Sequence, residues 1–216
     1  MFNRTTAYIL IAALAAGLGL WAAIGHFGPL TPAPAQPDLQ AVRLFDPPRT
    51  LPDFKLAQSD GTPLERAELQ GHWTLVFLGF THCPDVCPTT LAQLSHAQKQ
   101  WASIPQPTRP RVLFVSVDPE RDSTELVGKY AHAFHADTLA ATGTLPDLEA
   151  FTTSLSMVFA KAPIAGVDDP AAYTIDHSAT IAVLDTEGRM AGLLRPPFEP
   201  VKIAADLKAL TGVPAE

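Results

Sequence analysis

The sequence predicts an α/β fold, a mixed sheet flanked by helices, preceded by one N-terminal transmembrane helix. Three observations predict it. Short apolar runs bounded by turn residues, Leu75–Phe80 and Arg111–Val117, read as buried strands, and each leads into a stretch with helical features. The last third of the chain reads as a hairpin followed by a closing helix. Near the start, Ala7 to Ile24 runs for 18 residues without a charge.

That span rises about 1.5 Å per residue, so it is just long enough to cross a bilayer core. The amino terminus and Arg4 precede it, and no positive charge follows until Arg43. The positive-inside rule then keeps the N-terminus in the cytoplasm and exports the remainder, as expected for a bacterial-type inner membrane and a periplasmic domain. A cleaved signal is the competing reading, with Ala33-Pro34-Ala35 as a weak cleavage site. From Gly25 to Thr50 the prolines crowd together (Pro29, Pro32, Pro34, Pro37, Pro47, Pro48), which predicts a semi-rigid extended tether. The expected organisation is a cytoplasmic tip at 1–6, an anchor at 7–25, a tether at 26–50 and a folded domain at 51–212.

A chain of 216 residues with 47% hydrophobic content can build one well-packed domain beside the anchor. The formal net charge of −7 and the lack of a basic run argue against nucleic acid, which is bound through clustered Lys and Arg. Two cysteines do not make a disulfide framework.

Within the domain, Phe54-Lys55-Leu56 and Asp60-Gly61 suggest a short hairpin. Thr74 to Phe80 is the first central strand, and a helix is expected from Thr89 to Ala102, with Pro88 in its first turn. Arg111 to Val117 is the second strand. Asp122 and Glu125 resemble a capping box opening a helix that runs to about Ala136. Thr144 caps a helix over 145–156, Met157–Ala160 is a short strand, and 162–172 is a loop. Ala179–Asp185 and Met190–Leu194 flank the turn Thr186-Glu187-Gly188-Arg189, and Pro200 and Gly212 bracket the last helix. With a cysteine pair at the first strand–helix junction, the pattern resembles the thioredoxin fold, which alone does not set function.

Thr81-His82-Cys83-Pro84-Asp85-Val86-Cys87-Pro88 holds the only two cysteines. At a helix start, backbone N–H groups and the dipole are expected to lower thiol pKa. Residues four apart on a helix have Cβ atoms about 5–6 Å apart, whereas a disulfide needs roughly 3.5–4.5 Å. A disulfide therefore requires Cys83 to lie in the loop. Two sulfurs bound to one metal at about 2.3 Å each are less constrained. A pair of buried or disulfide-bonded structural cysteines stays open at this point.

Of the seven histidines, His96, His132 and His135 read as helix surface, His72 as a turn residue and His26 as a membrane-edge residue. His82 adjoins Cys83 but is expected to point away. His177, in Tyr173-Thr174-Ile175-Asp176-His177-Ser178-Ala179, precedes a strand that would pair near the cysteine strand. It is either a ligand or a hydrogen-bonded loop histidine. Asp118 is either a group that orients the cysteine loop or a turn residue beside Pro119.

THCPDVCP, DPERD and YTIDHSATIAVLDTEGRM, in this order and spacing, resemble the SCO/SenC family of copper chaperones for cytochrome c oxidase assembly. The similarity covers nearly the whole chain. Two departures are Ser123-Thr124 where many members have Thr-Pro, and Ala141-Thr142-Gly143 where the family has Gly-Leu-Thr-Gly. The resemblance implies a metal site of Cys83, Cys87 and His177 holding copper as Cu(I), Cu(II) or both. It implies a membrane-tethered carrier rather than an enzyme, delivering copper to the CuA centre of the oxidase. Other implied partners are periplasmic copper chaperones or thiol reductants. The donor chemistry agrees, since two thiolates and one imidazole suit copper better than four-coordinate structural zinc. The rival is a thiol–disulfide oxidoreductase with Cys83 and Cys87 as its redox-active dithiol, reducing the CuA-site cysteines. A peroxiredoxin fits poorly, because its Thr lies three residues before the reactive Cys and Thr81 lies two before Cys83.

The full chain is expected to stay with membranes through a carbonate wash. Recovery of a mature N-terminus at Gln36 would show instead that the apolar span is a cleaved signal.

Overall fold

A computed structural model describes residues 3–27, 38–169 and 172–212. The chain forms two compact units that divide between Gln36 and Pro37. The first contains helix α1, Arg4–Phe27. Its stretch Arg4–His26 is long and apolar enough to cross a membrane, by length and composition.

The second unit is built on an eight-stranded sheet. Its strands are β1 (Arg43–Arg49), β2 (Leu56–Gln58), β3 (Pro63–Leu64), β4 (Thr74–Gly79), β5 (Arg111–Ser116), β6 (Leu139–Thr142), β9 (Ile181–Leu184) and β10 (Met190–Leu194). They lie in the order β1-β10-β9-β4-β5-β6-β2-β3. Strands β7 (Phe159–Pro163) and β8 (Tyr173–His177) form a separate two-stranded sheet. The helices are α2 (Val86–Gln100), α3 (Thr124–His132), α4 (Leu145–Ser154) and α5 (Pro200–Leu210). This is the expected thioredoxin-like arrangement of a mixed sheet with helices.

β4 and β5 pair in parallel from Thr74↔Arg111 to Gly79↔Ser116. Every residue of β4 is buried, as a strand covered on both faces should be. β5 in turn pairs in parallel with β6, and β4 pairs antiparallel with β9. The parallel register brings the carboxyl ends of β4 and β5 side by side. In an α/β sheet that edge is where ligands gather. The loop with both cysteines and the Asp118–Asp122 loop therefore leave the sheet as neighbours.

Several expectations are corrected. The folded unit starts before Leu51, since Arg43–Arg49 pairs with β10 and the tether does not reach 50. Pro47 and Pro48 concealed this strand. Proline cannot donate to a ladder and is confined to edges, and β1 is an edge strand with a register shift between Leu44 and Arg49. Pro29, Pro32, Pro34, Pro37 and the Ala33–Ala35 site lie outside the described residues. Helix α3 is capped by Ser123, which accepts from Leu126 N, rather than by Asp122. Leu139–Thr142 forms a strand although Ala140 and Ala141 carry little strand signal. Tyr173–His177 is likewise a strand, and β7 runs three residues beyond Ala160.

The start of the unit is fastened by one side chain. The buried Asp206 carboxylate on α5 accepts from the backbone N–H of Gln40, Ala41 and Val42 at 3.0, 2.7 and 2.8 Å. Hydrogen bonds to a charged acceptor are the stronger class. Replacing Asp206 by Ala orphans three donors and is expected to cost about 3 kcal/mol. A lowered urea midpoint, with Asp206→Asn intermediate, is the measurement.

Candidate metal centre

β4 ends at Gly79, and Phe80 starts the turn that Cys83 N–H closes onto Phe80 O at 3.2 Å. Cys83 therefore lies in the loop, half-buried, while Cys87 occupies the second position of α2 and is fully buried. The first N–H groups of a helix lack intrahelical partners. That of Cys87 points at Cys83 Sγ, 3.3 Å away. Both thiols are free.

The sulfur of Cys87 is seated by the end of β4. A Cβ on Gly79 would come within 2.7 Å of Phe114 Cε2 and 3.0 Å of Cys87 Sγ. Burial pushes the Cys87 thiol well above its ordinary pKa, with Cys83 adding to the shift and the Phe80 backbone opposing it. The expected lowering by the helix terminus is thus overridden at Cys87, because desolvation penalises the thiolate more than the local dipoles favour it.

His177 is the last residue of β8, and its Nε2 lies 3.5 Å from Cys87 Sγ. Its Nδ1 lies 3.1 Å from the carbonyl oxygen of Ser178, which can only accept, so the proton sits on Nδ1. Nε2 is left with its lone pair toward the sulfur. Burial lowers the pKa of the imidazole, against the smaller opposing effects of Ser178 and Asp176, and keeps it neutral. Phe77 and Phe80 turn edge-on to the ring at centroid distances of 6.0 and 6.3 Å.

The structure thus joins Cys87 to His177 and places Cys83 beside the Cys87 amide. Cys83 Sγ does not close with the other two donors: among the described residues, only His82, Asp118 and Asp122 bring three ligand atoms within 4.8 Å of one another. That trio is already engaged. Asp122, buried, accepts from Thr81 N at 2.8 Å, Thr81 Oγ1 at 2.6 Å and Ser116 Oγ at 2.5 Å. Asp118 is taken by Arg121 Nε at 2.5 Å and the Tyr173 hydroxyl at 2.8 Å. The group that orients the cysteine loop is therefore Asp122, whereas Asp118, for which the sequence left that role and a turn position both open, bonds to Arg121 and Tyr173. The D-x-x-E pattern hid it, because the same residue type also caps helices. His82 is exposed, 3.2 Å from Thr81 Oγ1 and 3.5 Å from Asp122 Oδ1. His72 is buried against Arg109 O, and His135 faces Gln98. His96 and His132 are exposed.

The SCO1/SenC family profile matches residues 44–212, well over half of the chain. The chain belongs to the SCO1/SenC family. Among curated relatives, the mitochondrial SCO2 homolog of Homo sapiens is 33% identical over 136 residues, 63% of this chain and 50% of that protein. The chain spans about half the length of the first curated relatives it matches. Among solved structures, apo Sco1 of Thermus thermophilus is 36% identical, with a TM-score of 0.69 over 78% of this chain and 95% of that one. ScoI of Bradyrhizobium japonicum with copper bound is 32% identical, with a TM-score of 0.67 over 74% of this chain and 99% of that one. Here the fold sets a neutral imidazole 3.5 Å from one thiol, with the second thiol in the adjoining loop, and soft sulfur and borderline nitrogen are the atom types involved.

Gly79→Ala is expected to displace Cys87 Sγ or the Phe114 ring, lowering stability by about 1–3 kcal/mol as overpacking does. In the native protein, iodoacetamide should modify Cys83 well before Cys87, and the substitution should narrow that difference. Mass spectrometry of timed alkylation reads both.

Proposed function

We propose that this protein is a membrane-tethered copper metallochaperone that delivers copper to the CuA centre of cytochrome c oxidase, with Cys83, Cys87 and His177 as its ligands. The observation that carries the reading is the 3.5 Å separation of Cys87 Sγ and the unprotonated His177 Nε2. Atoms bonded to one ion at about 2.3 and 2.0 Å, at tetrahedral to trigonal angles, stand roughly 3.5–3.8 Å apart. Family membership and copper in the Bradyrhizobium japonicum ScoI structure support the choice of metal. Thiolates suit Cu(I) and imidazole suits Cu(II), so the set accommodates either state.

Copper is cargo here. On capture, Cys83 turns its sulfur from the Cys87 amide toward the pair, and Cys87 gives up the proton that burial holds on it. Uptake therefore releases protons and strengthens as pH rises. Cys83, half-exposed on its loop, is the ligand that a partner's thiolates reach first, and stepwise ligand exchange moves the ion onto the CuA subunit. Helix α1 serves as an uncleaved anchor with the N-terminus cytoplasmic and the copper domain in the periplasm, the side from which upstream copper chaperones load it and thiol reductants keep Cys83 and Cys87 as thiols.

The second reading, a reductant of the CuA-site cysteines, draws on the free state of both thiols. It needs only the two sulfurs, so His177 separates the two. His177→Ala is expected to weaken Cu(II) binding by more than about 100-fold, beyond the cost of losing a supporting hydrogen-bond partner. The Cys83–Cys87 couple should still form and break. In a deletion strain at limiting copper the variant should fail to restore oxidase activity. Full restoration by His177→Ala would hand the essential role to dithiol exchange.

A further inference from the structure

The histidine arrives on a ribbon that is not part of the main sheet. Among the described residues β7 and β8 pair only with each other, from Pro163↔Tyr173 to Phe159↔His177. A two-stranded sheet is marginal in water unless something else holds it. At its base, Ser178 N–H donates to Val158 O at 2.9 Å and Val158 N–H to Ser178 Oγ at 3.0 Å. At the other end of β8, four residues and about 13 Å from His177, Tyr173 is gripped by the loop that follows β5.

The grip has three parts. The Tyr173 hydroxyl donates to Asp118 Oδ1 at 2.8 Å. Arg121 Nη1 donates to the Tyr173 carbonyl at 3.0 Å, while its Nε donates to Asp118 Oδ2 at 2.5 Å. The Arg121 guanidinium also lies 3.8 Å from the centroid of the Tyr173 ring and 5.8 Å from that of Phe80. A planar fork that bonds in its plane and stacks on its faces can do all of this at once, and lysine cannot. Asp118 is itself buried, and its N–H donates to Ser116 Oγ at 3.2 Å. Phe80 precedes Thr81, which Asp122 holds. One loop after β5 thus grips both the cysteine turn and the histidine strand.

We propose that Arg121 and Tyr173 are positioning residues, a clasp that fixes β8 so that His177 Nε2 faces Cys87; the inference rests on the copper reading above. Without the clasp the ribbon keeps its base, the buried Ile175 and the Lys161–Glu120 ion pair at 2.6 Å, and loses the tie that fixes the far end of β8. His177 then leaves the thiols for part of the time, and the site becomes a two-sulfur site. The loss falls on Cu(II), which depends on the nitrogen donor, and spares Cu(I) and the dithiol couple.

The test uses the full chain in detergent with Tyr173→Phe, Arg121→Lys and Arg121→Gln. In metal-free protein, amide exchange over Phe159–Pro163 and Tyr173–His177 should speed up about tenfold, with β4 and β9 unchanged, and the His177 ring nitrogens should shift toward solvent values. With Cu(II) added, the dissociation constant should rise about 10–100-fold, and the sulfur-to-copper charge-transfer band should move. Arg121→Lys, which keeps the charge over the ring, should recover part of what Arg121→Gln loses. Cu(I) binding and the Cys83–Cys87 midpoint potential should not change. Wild-type exchange in β8, or wild-type Cu(II) affinity and spectrum in Tyr173→Phe and Arg121→Gln, would overturn the clasp. If wild-type protein takes up no copper, the chaperone reading fails, and the clasp still stands or falls on the exchange rates and the His177 ring signals of metal-free protein.

Discussion

Asp122 accepts three hydrogen bonds, two from Thr81 and one from Ser116, and is itself buried. Ser116 ends β5, and Thr81 opens the cysteine loop two residues after β4. The carboxylate therefore ties together the two chain segments that leave the sheet side by side. A loop bridging a strand and a helix has few backbone partners of its own, so a buried carboxyl group that accepts three hydrogen bonds fixes it in place. From that point the turn at Phe80, the place of Cys83 and the start of α2 follow.

Burial then divides the labour between the thiols. Cys87 sits against Gly79 and Phe114 in a place that disfavours its thiolate, and His177 sits beside it in a place that disfavours its cation. Both groups are held neutral by the same desolvation, which an arriving cation offsets by replacing the missing solvent. Cys83 is the less buried member, and its sulfur takes the orphan N–H of the helix. The site therefore pairs a buried thiol and imidazole with one half-buried sulfur on the adjoining loop.

The edges of the molecule are secured by charged groups rather than by further sheet. Asp206 fastens the segment leading into β1, and Arg121 with Asp118 fastens the ribbon of β7 and β8. Each is a long-range tie between segments far apart in sequence.

The central strands were legible in the sequence because Leu75–Phe80 and Val112–Val115 are short, almost wholly apolar runs, and Pro200 and Gly212 marked the last helix. The residues Cys83, Cys87 and His177 stood out by motif, but nothing in their spacing says that Cys87 and His177, 90 positions apart, come to 3.5 Å. Edge strands were the weakest reading. β1 carries two prolines, and β8 carries polar residues because one of its faces meets solvent. The role of Asp122 was hidden for a different reason, since an aspartate near a helix start has a local use that masks a distant one. Local chemistry along the chain sets element type, metal preference and the capacity to anchor in a membrane. Which thiol is buried, which tautomer the imidazole adopts and which carboxylate holds the loop come from partners supplied across the sheet, and only the folded chain brings those together.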